Sequence, residues 1–285
     1  MARGSPLKWL NVLGCALVAI VFVCSGCSHT SAPSRANSSA PTPLATATSP
    51  QSSPAGPSCG VTITGRHRYL ASPPARNAVL LLGAGRRGIV FGAQANGGIC
   101  QVLPIAQQFA RRGYHVAVFD WSIGSTSYAA DMIRATHALL ADGARRVVLG
   151  GFSRGALVAL GVAPKLGPRI VGVISISGGP SPSEGFPTIR SLAAFRGPIL
   201  LVSSKNDPVF PPGTSAAIAA AHHGPSTLLV VPGNEHALQL LGGPYSQRVN
   251  TAINAFLARL LRTERRPQQA WRPKAWKRAL AASPA

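Results

Sequence analysis

Acidic side chains are scarce in this chain: seven Asp and Glu stand against 28 Lys and Arg in 285 residues, for a formal net charge of +21. That excludes a disordered acidic protein, and it leaves any chemistry needing a carboxylate with very few candidates. Long apolar runs are missing too. The run Trp9 to Cys24 has 16 residues, short of the ~20 that cross a hydrocarbon core as a helix. No internal repeat is visible, which excludes solenoids and propellers. Lysine occurs five times against 23 arginines, a bias that genome base composition explains as readily as function. What is present is a 46% hydrophobic chain whose stretch from Val61 to Leu261, about 200 residues, suffices for one sizeable core and is tight for two.

Residues 1–27 carry Arg3 and Lys8, then the apolar run, then Ser25-Gly26-Cys27, the order of a secretory signal. Cys24-Ser25-Gly26-Cys27 resembles a bacterial lipobox, which implies that Cys27 is lipidated, becomes the N-terminus and anchors the protein to the outside of the cell membrane. Cys24 stands where an aliphatic residue is usual, and an ordinary cleaved signal with a secreted product is the alternative. Residues 28–58 read as a tether: 24 of the 30 residues from Ser28 to Pro57 are Ser, Thr, Pro or Ala, too little apolar surface to order themselves. Such a chain reaches ~30 Å on average. Of the five cysteines, Cys15 and Cys24 leave with the leader and Cys27 takes the lipid. Cys59 and Cys100 can then pair oxidatively, closing a loop of about 40 residues worth ~4 kcal/mol, the alternative being two separate thiols.

Residues 59–262 form the expected domain. Apolar runs at Ala78–Leu82, Val116–Phe119, Val147–Leu149, Ile170–Ile176, Ile199–Val202 and Thr227–Val231 alternate with helix-period segments at Val102–Arg112, Tyr128–Ala144, Ala156–Ala163, Thr214–His222 and Tyr245–Leu261. Continuous apolar strands between helices predict an α/β, doubly wound, mainly parallel sheet covered on both faces. Val61–Thr64 and Arg68–Ala71 suggest an antiparallel start.

Val147-Val148-Leu149 runs into Gly150-Gly151-Phe152-Ser153-Arg154-Gly155-Ala156. A G-x-S-x-G stretch between a strand and a helix places Ser153 on a sharp turn above the carboxyl edge of the sheet, its glycines keeping Cβ atoms out of the way. A serine hydroxyl needs a base and an orienting carboxylate to become a nucleophile. Asp207 follows the strand Ile199–Val202, and His236 follows the last strand, so both belong to that same edge. Glu235 is a second choice for the acid, because neighbours on an extended segment point apart.

Taken with these residues, the region from Ala78 to Leu261 resembles the α/β-hydrolase superfamily, with nucleophile, acid and histidine after successive late strands. The resemblance implies acyl transfer to water through an ester on Ser153, with no metal or cofactor and a structural role for Asp120. It also implies an oxyanion hole from two backbone N–H groups, read here as Arg154 and Ala84, the latter in Leu82-Gly83-Ala84-Gly85. The Arg154 guanidinium opposes the helix dipole; it either binds an anionic substrate group or pairs with a neighbour such as Asp120 or reaches solvent.

Only 17 residues, Pro180 to Arg196, separate two late strands, so no large lid is expected and Trp121 and Phe210 become candidate wall residues. Residues 263–285 form a basic tail interleaving Trp271 and Trp276 with cations, a composition suited to an anionic membrane or wall polymer or to a solvated end. Nucleic acid is not an expected partner outside the cell. The expected function is an extracytoplasmic serine esterase acting on a small-molecule, lipid or polysaccharide acyl ester; a retired relative that binds a ligand is the alternative.

Overall fold

The computed structural model describes residues 56–71, 78–122, 128–181 and 188–261. The leader, the lipidation site at Cys27, most of the tether and the basic tail therefore lie outside the described residues. Residues Gln51–Ala285 form one compact unit, and every described strand, helix and core residue lies within it. Within this unit one continuous sheet is covered on both faces by its own helices, so residues 51–285 carry a complete hydrophobic core.

Eight strands build one sheet in the order β1-β2-β4-β3-β5-β6-β7-β8. They are β1 (His67–Leu70), β2 (Val79–Leu82), β3 (Arg87–Gly92), β4 (His115–Phe119), β5 (Arg146–Phe152), β6 (Ile170–Ile176), β7 (Ile199–Ser204) and β8 (Ser226–Val231). β1 and β2 run antiparallel to their neighbours, and all pairings from β4 to β8 are parallel. Parallel neighbours require crossovers, and helices supply them: α1 (Ile99–Arg111), α2 (Tyr128–Ala141), α3 (Arg154–Val162), α4 (Ile189–Leu192) and α5 (Pro212–Ala221); α6 (Gln239–Gly242) and α7 (Ser246–Leu260) follow β8.

The strand period of two divides the core. Leu80, Leu82, Val116 and Val118 join one cluster with Val102, Phe109, Ile253 and Leu257 of α1 and α7. Val79, Leu81, Ala117 and Phe119 join the other, with Met132, Leu157 and Ile218 of α2, α3 and α5. Both faces are covered, which is why the strands read as unbroken apolar runs.

Two readings change. β3 was not among the expected strands: arginines and glycines at its ends leave an apolar centre of three residues, Ile89 to Phe91. Val61–Thr64 forms no strand; Thr64 Oγ1 instead donates to Gln107 Oε1 at 3.1 Å, and Gln107 Nε2 donates to the Thr62 carbonyl at 3.3 Å, laying this segment along α1. The disulfide Cys59–Cys100, with Cα atoms 5.0 Å apart, ties the same segment to the first turn of α1. Among the described residues no helix is long and apolar enough to cross a membrane.

Candidate active site

The turn between β5 and α3 is built around absent side chains. A Cβ on Gly155 would run into the backbone oxygen of Gly92, and one on Gly151 into the backbone of Gly155. Both positions therefore exclude every other residue, and the chain can reverse within one residue. Ser153 takes that turn at φ 51° and ψ −112°, a left-handed backbone costly for a residue with a Cβ. It is held there by its N–H, which donates to the Ile176 carbonyl at 2.9 Å, and by Gly155 N–H donating to Ala93 O at 3.0 Å. Its side chain stands at the carboxyl edge of the sheet, 8% exposed.

Asp207 lies beyond β7 and is 4% exposed. His236 Nδ1 sits 2.9 Å from its Oδ1 and 3.0 Å from its Oδ2, while the N–H groups of Val209 and Phe210 donate to Oδ1 at 2.9 and 3.0 Å. Burial pushes this carboxyl up, but hydrogen bonds from His236, Phe210 N–H, Ser177 and Val209 N–H outweigh it and hold Asp207 below the ordinary carboxylate value. It stays ionised and aimed at the imidazole. The loops carrying the two groups are locked together: Lys205 N–H donates to Val231 O at 2.8 Å, Asn206 N–H to Gly233 O at 2.9 Å, and Ser204 Oγ to Glu235 O at 2.7 Å. Glu235, the second candidate acid, does not take the imidazole; Asp207 does.

Ser177 was not singled out in the sequence. It follows β6 directly at φ 50°, one residue beyond the carbonyl that holds Ser153. Its N–H donates to Val202 O at 2.8 Å, its Oγ accepts Ala237 N–H at 2.9 Å, and it hydrogen-bonds to Asp207. One fully buried hydroxyl thus links the strand that holds the Ser153 turn, Asp207 and the residue after His236.

Ala84 is a correction. β2 is antiparallel to β4, with Leu82 opposite Val116, so the turn after β2 lies at the amino edge of the sheet, away from Ser153. Read without β3, the sequence makes the loop after β2 the one beside Ser153. The segment that adjoins the turn follows β3, where Ala93 accepts the Gly155 N–H. Arg154 opens α3 as expected, and its guanidinium carbon lies 4.3 Å over the Tyr128 ring, a cation–π contact. Trp121 packs edge-on against Phe119 and Tyr128 at 4.8 and 5.5 Å and belongs to the core. Phe210, half-buried, has its ring 6.1 Å from that of His236 and stays at the site.

Asp120 caps α1 from outside the helix: its Oδ1 accepts the Ile99 N–H at 2.8 Å. Burial raises its pKa, and that bond opposes the rise. Asp131 accepts both the N–H and the Oγ–H of Ser122, at 2.9 and 2.7 Å. Among the described residues no three His, Cys, Asp or Glu side chains converge as metal ligands.

Residues 124–236 match the family described as phospholipase/carboxylesterase. No curated protein sequence matches the chain significantly. Solved structures similar to it include an esterase of Pyrococcus furiosus (14% identity, TM-score 0.57, 69% of this chain and 90% of that one). Others are the esterase domain of a Rhodothermus marinus protein (16%, 0.54, 69% and 98%) and a Paleococcus ferrophilus monoacylglycerol lipase (13%, 0.54, 64% and 98%). Sheet order, the glycine-framed serine turn and these structural matches together give the chain the α/β-hydrolase fold.

Proposed function

We propose that this protein is a serine hydrolase that cleaves a carboxylic ester through an acyl-enzyme on Ser153. The observation that carries the reading is the Asp207–His236 pair, at 2.9 and 3.0 Å, on the same sheet edge as a serine held in a strained turn. The phospholipase/carboxylesterase match and the esterase and lipase neighbours support an ester as substrate.

Asp207 occupies Nδ1 and fixes the tautomer, so Nε2 is the nitrogen that takes the Ser153 proton as the hydroxyl adds to the ester carbonyl. The tetrahedral oxyanion is met by backbone N–H groups, one from Arg154 and one from the segment after β3 at Gln94. Collapse expels the alcohol, protonated by His236, and water attacks the acyl-enzyme by the same path in reverse. Between β6 and β7 the described chain holds only the four-residue α4, in keeping with a site shaped by loops. We also place the protein outside the cell, anchored through Cys27; the leader, its lipobox-like ending and the Cys59–Cys100 disulfide support this.

The test is labelling with a fluorophosphonate followed by hydrolysis of p-nitrophenyl esters of increasing chain length, with Ser153→Ala as blank. An adduct on Ser153 and turnover lost in the variant support the reading; no adduct on the folded protein leaves a ligand-binding relative. Mass spectrometry of the mature N-terminus tests the anchor, and Cys27→Ser should release the protein to the medium.

A further inference from the structure

The active site uses one edge of the sheet, and the charge collects at the other. Because β3 to β8 are parallel, every segment entering one of these strands does so at the amino edge. Arg86–Arg87 lead into β3, Arg111–Arg112 end α1 ahead of β4, and Arg145–Arg146 lead into β5. Arg169 stands before β6 and Arg196 before β7. All of these are exposed except the half-buried Arg87. The last turn of α7 adds Arg259, and Arg146 Nη2, donating to the Leu260 carbonyl at 2.9 Å, fixes that helix end at the same edge. Arg190, Arg196 and His223 further line an open depression of about 500 Å³ with an alanine floor.

Acidic side chains are distributed the other way. Among the described residues the amino edge holds one, Asp142, engaged by Arg68 at 3.2 Å and His115 at 3.1 Å. Asp120, Asp131, Asp207 and Glu235 all belong to the carboxyl edge, after strands or in the first turn of α2. Gathering like charges on one side costs stability through self-repulsion, a cost that a polyanionic partner would offset.

We infer that the amino edge is a docking face for an anionic lipid bilayer, with the edge bearing Ser153 and His236 turned away from it. The cations are spread over a whole edge instead of converging on one point, so a small anion could neutralise few of them, whereas an extended anionic surface meets them together. The chain also leaves α7 at this edge, and its next 24 residues carry seven more cations against one acid, with Trp271 and Trp276 among them. Indoles and cations in one segment suit a lipid interface better than a soluble polyanion. The exposed large hydrophobics Val61, Val209 and Leu228 all lie off the strand entries, so the contact is electrostatic and weakens with salt.

The test uses residues 51–285 and co-sedimentation with vesicles of phosphatidylcholine alone or mixed with phosphatidylglycerol. Preference for the mixed vesicles is expected. Arg111→Gln, Arg145→Gln and Arg169→Gln together should lower that partitioning roughly a hundredfold, at ~1 kcal/mol per surface cation. The carboxyl-edge pair Lys205→Gln and Arg248→Gln should lower it no more than about threefold. A chain ending at Leu261 should keep the face-dependent part. If the triple variant loses its fold by circular dichroism, Arg190→Gln with Arg196→Gln replaces it, with about a thirtyfold loss expected. Equal binding to both vesicle types, equal loss from the two edges, or complete loss on truncation overturns the proposal. So does binding to soluble polyphosphate without any vesicle preference.

Discussion

Reducing the Cys59–Cys100 disulfide should lower the stability of the domain by about 4 kcal/mol. The bridge spans 41 residues, and the chain-entropy model for a loop of that length assigns about 13 cal/mol/K, or roughly 4 kcal/mol at 25 °C, to the restriction of the unfolded chain. The loop encloses β1, β2 and β3, so in the reduced protein three strands must find their partners from a freer ensemble. The native state loses little else: Thr64 and Thr62 still hydrogen-bond Gln107, and the Asp207–His236 pair lies beyond the loop. The expected signature is a lower urea midpoint at a nearly constant or slightly increased m-value, measured by far-ultraviolet circular dichroism on residues 51–285 with and without reductant. Cys59→Ser with Cys100→Ser should reproduce the reduced form. Two titratable thiols in the untreated native protein, or a stability change within about 0.5 kcal/mol, would refute the reasoning.

Asp207→Asn should leave the fold intact and lower kcat on the order of 10⁴-fold, since the amide cannot hold the imidazole in the same tautomer; steady-state kinetics on a p-nitrophenyl ester reads this, and a small loss would move the orienting role to Glu235. Ser177→Ala should destabilise the domain by about 2 kcal/mol, because the Ala237 N–H is buried without its acceptor and Asp207 loses a donor; an unchanged urea midpoint contradicts the hub. Gly155→Ala forces a Cβ into the backbone of Gly92 and Ala93, where nothing soft can yield, so a loss of about 3 kcal/mol and of fluorophosphonate labelling is expected. His115 and His222 are both held below their ordinary value of 6.5 by burial, against the pull of Asp142 on His115 and of backbone carbonyls on His222. The unfolded chain then binds protons that the folded one refuses, so stability is complete above about pH 6.5 and falls as the pH drops below it. The slope is at most about 1.4 kcal/mol per pH unit for each histidine. Asp207, held low, adds its own loss only below the ordinary carboxylate range, near pH 4. Urea midpoints between pH 7.5 and 5 check this, and a flat profile contradicts it.

The parts of the site visible in the sequence are those whose requirements are local. Gly151 and Gly155 flank Ser153 because one turn needs both, and the strand before it and helix after it are contiguous in the chain. Asp207 and His236 were found because few acids exist and because parallel strands bring every following loop to one edge. What acts across the chain was not visible. The cap of α1 is Asp120, 21 residues downstream, so the helix start at Ile99 had no local signal, and Ser177 reaches Ala237 across 60 residues.

The overlooked β3 shows how one missing element moves a residue across the molecule. Ile89, Val90 and Phe91 are good strand formers, but Arg86-Arg87-Gly88 before them and Gly92 after them shorten the run below what periodicity resolves. Without β3 the loop at Ala84 counts as the one beside Ser153, and it lies at the wrong edge once β2 is seen to be antiparallel. The same arginines become meaningful only through that topology. In the sequence, Arg86–Arg87, Arg111–Arg112 and Arg145–Arg146 are scattered pairs in a chain rich in arginine. Once the strands they precede are parallel, each pair must lie at one edge, and a compositional bias becomes a surface with a direction.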